Sequence, residues 1–308
     1  MASVKHKEKK VLLIVAIAFL VLVVFGIFFT IILTVFSAGE FNQFEKKLAV
    51  IPIKQPIFMS GSDFGGNFGA LEIVEKIELA ANDPNIAAIF FDIDSPGGEP
   101  VATLQIVEKI REVEKPTISY IGSTGTSAAY WIAASTDYIV ADPFSVTASI
   151  GAISIFPNIG QFLEDHGIEV TIIKSGKLKA SPNYFEEVDD DQKKLIKDFV
   201  DEAFKQFKAD VLFFRKGKID AFEFEELTDG RIISGSRALE LNLVDELLTR
   251  EKAILKAGEI AGIKGKPSLK VFGPKQVSFF ELLTASGKAF ASGFKSSFDL
   301  SNSFSIRT

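Results

Sequence analysis

Residues 11–36 form a run of 26 positions without a charge, dominated by Val, Leu, Ile and Phe. At about 1.5 Å per residue, a helix of this length crosses a hydrocarbon core of about 30 Å with some tilt. Beyond it the pattern changes to short apolar runs alternating with helix-spaced ones. KLAVIPI (47–53) reads as a strand, FGGNFGA as a glycine-rich loop and LEIVEKIELAA (71–81) as a helix. NIAAIFFDID (85–94) is nearly continuously apolar, as in a parallel strand covered on both faces. Residues 101–114 place Ile106, Val107, Ile110 and Val113 on one helical side, with Leu104 at its edge. PTISYIG (116–122) reads as a strand, TSAAYWIAAS (126–135) as a short helix of small residues, and DYIVADP as a strand followed by VTASIGAISIF. IEVTIIKSG (168–176) alternates as a further strand. Strand and helix in alternation predict an α/β fold with parallel crossovers.

An α-rich part follows. Residues 189–217 form one long amphipathic pattern with Ile196, Phe199, Val200, Ala203 and Phe207 on its apolar face. Residues 230–263 read as a turn, a helix, a short connection and another helix. From 268 the character shifts again: residues 268–308 hold seven phenylalanines, many serines and five basic residues against two acidic. Phe279, Leu283, Phe290 and Phe294 stand near helical spacing, which fits a segment lying on a membrane, a cover for a groove, or a loosely held terminus. The organisation is therefore a polar tail (1–10), an anchor (11–36), a main domain (37–267) and a Phe/Ser-rich tail (268–308).

Charge orients this arrangement. Residues 1–10 carry four lysines against one glutamate, so the N-terminus stays in the cytoplasm and the main domain lies outside, on a single-pass cell-membrane protein. SAGE (37–40), with Phe36 just before it, is a poor signal-cleavage site, which favours an uncleaved anchor over a removed signal. The whole chain of 308 residues carries a net charge of −6, which argues against a nucleic-acid partner. There is no cysteine, which removes disulfides, thiolate metal sites and a cysteine nucleophile.

The scarcity of histidine narrows the chemistry further. Only His6 and His166 are present, and His6 falls on the far side of the membrane from the main domain. His166, before Gly167, reads as a helix-end residue in solvent. A serine hydrolase here needs another base, and a lysine serves where burial lowers its pKa. No HExxH, GxGxxG after a strand, or GxxxxGK[ST] occurs, so no metal or other cofactor is expected. The acidic run EEVDDD (186–191) reads as charge at a helix N-terminus in preference to a calcium site. Ser127 stands where a strand–loop meets a small-residue helix, either as an ordinary N-cap serine or as a nucleophile beside main-chain N–H groups. DSPGG (94–98) places two glycines after a proline, a backbone left open for close approach.

Taken in order, DSPGG, TSAAYWIAAS–DYIVADP, TASIGAI and KSGKLKASP resemble the signal peptide peptidase A family over roughly residues 47–263. The resemblance implies a membrane-bound serine–lysine endopeptidase on a crotonase/Clp-protease-like parallel-sheet fold. It implies Ser127 as nucleophile, Lys179 as general base and Ser149 as the serine that helps hold the lysine. Lys174 and Lys177 compete with Lys179 and are expected to be solvated. Main-chain N–H groups of Gly97-Gly98, with that of Ala128, would form the oxyanion hole. It further implies hydrophobic peptide substrates such as signal-peptide remnants, and a homo-oligomer with sites at subunit junctions, where Lys179 can act on a neighbour's Ser127.

The chain departs from the family pattern at four positions. Asp94 stands where asparagine or threonine is typical. Ala128 and Ala129 replace glycines after the serine, adding methyl groups that crowd it, and Ala148 replaces the glycine before Ser149. An ionised Asp94 pointing into the oxyanion site would oppose charge there, whereas one pointing away would be harmless. Rival readings are an acyl-CoA hydratase or isomerase on the same fold, a peptide-binding scaffold with weak or no activity, and a serine–lysine protease acting on stomatin-like membrane proteins.

Overall fold

The computed structural model describes residues 17–32, 46–61 and 69–273. The expectations for 1–16, 33–45, most of the glycine-rich loop (62–68) and the tail beyond 273 lie outside the described residues. Residues 17–32 are helical (α1), and their apolar side chains are exposed. Among the described residues no helix is long and apolar enough to cross a membrane.

The rest forms a mixed α/β fold. Strands β1 (Lys47–Ile53), β2 (Ile86–Ser95), β3 (Thr117–Thr126), β4 (Tyr138–Ala141), β5 (Val146–Ala148), β6 (Ile232–Ser234), β7 (Glu246–Leu247) and β8 (Ser268–Val271) make one sheet. Its order is β6-β5-β3-β2-β1-β8, with β4 pairing β3 and β7 pairing β4. Every pairing is parallel except β5 with β6. The helices are α2 (Ala70–Asn82), α3 (Pro100–Arg111), α4 (Ala128–Ala134), α5 (Gly160–Asp165), α6 (Asp190–Phe214), α7 (Ala221–Glu226), α8 (Gly235–Glu240) and α9 (Arg250–Ile260).

Alternation along the central strands explains the two layers, because successive side chains leave opposite faces. Ala49, Ile51 and Ile53 of β1 and Ile89, Phe91 and Ile93 of β2 pack with α2, α3 and α4. Leu48, Val50, Ala88 and Phe90 face the other way, onto Ala253, Ile254 and Ala257 of α9. Helix α2 buries Ala70, Ile73, Ile77 and Ala80, one stripe at helical spacing. Each fully buried isoleucine of such a stripe contributes about 1.5–3 kcal/mol.

The structure departs from the sequence expectations in several places. Helix α3 ends at Arg111 and not at 114, since Pro116 disfavours helix just before it. Residues 168–176 form no strand: they pair with no strand among the described residues, and Ile173 is 95% exposed. Alternation alone does not make a strand where no neighbour offers a ladder. The segment 230–234, expected as a turn, ends in the edge strand β6. Residues 268–271, grouped with the tail on composition, pair in parallel with β1. The acidic run does cap a helix: the Asp189 side chain accepts from Gln192 N–H, and the Gln192 side chain accepts from Asp189 N–H.

Candidate active site

Strand β3 delivers the chain to Ser127 at the start of α4. Ser127 occupies the N-cap position but does not cap: it makes no side-chain hydrogen bond to the helix, and its backbone lies at φ 53°, ψ −127°, outside the extended conformation of an ordinary N-cap. This conformation costs a non-glycine residue energy, so surrounding bonds must hold it. Ser127 N–H donates to Ala148 O at 2.8 Å, and Ser127 O accepts from Trp131 N–H at 3.0 Å. Two residues of α4 pin the helix behind the serine. Tyr130 hydroxyl donates to Leu243 O at 2.9 Å, and Trp131 Nε1–H donates to Asp210 Oδ2 of α6 at 3.0 Å. Full burial pushes the Tyr130 phenol well above its ordinary pKa, so it remains a neutral donor.

The DSPGG loop lies alongside. Ser95 Oγ donates to Gln55 O at 2.7 Å and accepts from Gly97 N–H at 3.2 Å. Ile57 N–H reaches Gly97 O, and Glu99 N–H reaches Ile57 O, both at 2.8 Å. The glycines have separate reasons. Gly97 sits at φ 103°, where a Cβ would stand 2.8 Å from Ser127 Cβ and 2.9 Å from Ala128 N. A Cβ on Gly98 would fall 2.0 Å from Ile57 O. With Gly97 N–H engaged by Ser95, the N–H groups of Gly98 and Ala128, both residues of the cavity lining, have no partner among the described residues. A helix start and a bent glycine backbone leave such donors free for an anionic oxygen.

Ser127, Ala128, Gly98 and Ser149 line one cavity of about 590 Å³. Ser149 (φ 53°) follows Ala148 (φ 63°); its Oγ donates to Gly230 O at 3.1 Å, and its N–H donates to Arg231 O at 3.0 Å. Asp229 also lines the cavity, and the Arg231 guanidinium holds its carboxyl at about 2. Sequence reasoning missed the opposite wall. Val200, Ala203 and Phe204 of α6 line the cavity with Phe207 and Trp131; Val200, Ala203 and Phe207 read in the sequence only as the apolar face of a helix, and Phe204 is not among them. The available signal was Trp131, four residues after Ser127 and so on the same helical side.

Two of the departures from the family pattern, Asp94 and Ala129, lie away from the cavity lining, whereas Ala148 holds a positive φ of 63° where the pattern has glycine. Asp94 Oδ1 accepts from Thr124 N–H at 3.0 Å, at the irregularity where Ile93 pairs Ile121 but Ser95 pairs Gly125. Its carboxylate thus bonds the β3 backbone and does not line the cavity. Ala129 is fully buried in the core, so of the two added methyl groups only that of Ala128 borders the cavity.

Lys179 is not among the residues lining the cavity within one chain. It lies in an exposed turn, its N–H donating to Gly176 O at 3.0 Å. Its two competitors are engaged. Lys174 Nζ bonds Glu186 Oε2 at 2.7 Å, which holds the Glu186 carboxyl below its usual range. Lys177 pairs with Asp191 and Asp189, and the bond to Asp191 leads in raising its pKa. Lys179 Nζ has no such carboxylate among the described residues. His166 follows α5, its Nδ1 2.7 Å from Phe162 O, on the exposed surface and not among the cavity-lining residues.

Residues 109–264 match the family model for peptidase family S49. A protein of Methanocaldococcus jannaschii assigned provisionally as a protease is 27% identical over 274 residues, covering 86% of this chain and 87% of its own length. One of Enterococcus faecium, provisionally named signal peptide peptidase SppA, is 31% identical over 183 residues, 58% of this chain and 52% of its own. Among solved structures, the 1510-N membrane-bound stomatin-specific protease overlaps 75% of this chain and 99% of its own at 18% identity, with a TM-score of 0.47.

Proposed function

The chain belongs to peptidase family S49, of signal peptide peptidase A type, and from that premise we propose that it is a membrane-anchored serine endopeptidase with Ser127 as nucleophile and Lys179 of a neighbouring copy as base. The observation that carries the reading is the junction at Ser127. A strained, uncapped serine opens into a cavity beside two unengaged main-chain donors, Gly98 and Ala128. A neutral Lys179 Nζ takes the Ser127 hydroxyl proton while Oγ bonds to the peptide carbonyl carbon. The carbonyl electron pair moves to oxygen, where the two N–H groups stabilise it; one such donor is typically worth about 10²–10³ in rate. Collapse expels the amine, which takes the proton back from lysine, and leaves an acyl-enzyme. Water then gives its proton to Lys179 and releases the acid, restoring Ser127.

Residues 11–36 serve as the anchor in this reading, with the catalytic domain on the extracytoplasmic side. The exposed apolar side chains of α1 agree with a lipid environment. The substrates are hydrophobic peptides left near the membrane, signal-peptide remnants among them.

The test uses the full chain in detergent with fluorogenic hydrophobic peptides. Ser127→Ala and Lys179→Ala should each lose at least about 10³ in kcat/KM, a triad-scale loss. Mixed and reassembled, the two inactive variants should regain part of the activity, since some junctions then hold an intact Ser127 facing an intact Lys179. No recovery in mixed assemblies refutes the neighbour's lysine; full activity of either variant alone refutes the dyad.

A further inference from the structure

We infer that Ala203 and Phe204 of α6 set substrate selectivity, by bounding a pocket for one unbranched or γ-branched aliphatic side chain on the residue that supplies the attacked carbonyl. The inference rests on the serine-protease reading of this site and deepens it. The two walls of the cavity differ in kind. One carries the polar and main-chain groups of Ser149, Gly151 and Thr228–Gly230, suited to the peptide backbone, with Ala152 and Ile153 beside them. The other is the apolar face of α6, where Val200, Ala203 and Phe204 are only half-buried because the cavity, and not protein, lies in front of them. An amphipathic helix face left open onto a nucleophile awaits an apolar group from the ligand.

The pocket has a fixed floor. Trp131 and Phe207 are each 3% exposed and stacked, with ring centroids 4.8 Å apart and planes 13° from parallel. The bond from Trp131 Nε1 to Asp210, itself held by Gln206 Nε2 at 2.9 Å, keeps the indole from swinging aside. The depth is therefore set by rigid aromatic surface, and the width by the α6 wall. Ala203 is the small residue of that wall and leaves the space that a leucine or methionine side chain fills. Phe204, one position on, limits that space against phenylalanine and tryptophan.

The experiment compares kcat/KM of the full chain on peptides differing only at that residue: Ala, Leu, Phe or Trp. In Ala203→Leu the Leu-to-Ala ratio should fall roughly 10–200-fold, the range for filling or emptying part of an apolar pocket. In Phe204→Ala the Phe-to-Leu ratio should rise at least several-fold. Ratios cancel losses of folded protein, so a purely structural defect does not imitate either result. A second readout needs no hydrolysis. Trp131 is the chain's single tryptophan, so its emission, followed in the Ser127→Ala variant, reports pocket occupancy. The Leu peptide should change the emission saturably, and adding Ala203→Leu should weaken that binding. Cleavage with unchanged ratios overturns the pocket assignment and leaves the protease reading intact. A Trp131 response that Ala203→Leu weakens, in a wild type that cleaves no peptide, supports the pocket and overturns the protease reading. No Trp131 response to any of the peptides overturns the pocket.

Discussion

Ser127 combines a positive φ with a hydroxyl that makes no cap bond, and its N–H and O are held by Ala148 and Trp131. Such a conformation costs a non-glycine residue about 1–3 kcal/mol, a cost glycine escapes. Ser127→Gly should therefore be inactive yet more stable than Ser127→Ala by about 1–2 kcal/mol, read as a higher midpoint in denaturant. Equal midpoints would mean that the strain is not stored at this residue. Gly98 makes the opposite prediction. A methyl group 2.0 Å from Ile57 O forces the 55–58 segment away from the DSPGG loop, so Gly98→Ala should lose activity and destabilise by about 1–3 kcal/mol. The sequence made these positions conspicuous because Ser127 and the paired glycines are local features. It did not distinguish Gly97 from Gly98, because which N–H stays free depends on Ser95 Oγ folding back onto Gly97. The orientation of Asp94 was equally hidden, since it follows from a register shift between β2 and β3.

Among the elements, α6 joins the site to the frame at both ends of its buried stretch. Trp131 and Phe207 hold it against α4. Further along, Arg215, 1% exposed, bonds both Asp245 carboxylate oxygens at 2.9 and 3.0 Å and also reaches Asn242 O. Burial opposes ionisation of Asp245, but the Arg215 and Lys218 bonds outweigh it and hold the carboxyl below its usual range. Its contribution is then complete above the unfolded-state pKa of about 3.9 and is lost as pH falls through the lower folded value. Asp245→Asn should cost about 3–5 kcal/mol near neutrality, because it leaves the buried Arg215 guanidinium without its counter-charge. The variant's deficit should shrink in urea titrations run below about pH 4; a deficit independent of pH would show that charge is not what the pair contributes. Long elements such as α6 and the β1–β2 core were legible because periodicity accumulates over many residues. Strands of two to four residues (β6, β7, β8) carry too few positions for a period, and only their sheet partners define them. The false strand at 168–176 is the converse, a strong period with no partner.

At the scale of the molecule, the segment from Gly151 to Asp189 stands apart from the core in its exposure. Ile153 is 82% exposed, Ile155 78%, Phe162 61% and Ile173 95%. Apolar residues scattered over a surface need no explanation, but a contiguous segment of them that also carries Lys179 does. The cavity on one chain is lined by Ser127, Gly98 and Ala128 but by no lysine or arginine, and the exposed segment has a lysine without a carboxylate among the described residues. If a second copy covers this segment, Ile173 is buried in the assembly while remaining surface in a monomer. Ile173→Asp separates the two cases. On a free surface it should change stability by no more than about 0.5 kcal/mol and leave activity alone. In a junction it should disperse the assembly in sedimentation velocity and abolish peptide hydrolysis together, without lowering the unfolding midpoint of the separated chain. A dispersed Ile173→Asp variant that still cleaves at the wild-type rate would show that one chain suffices, and Lys179 would then have to reach Ser127 by a rearrangement of its own segment or yield its role to another base.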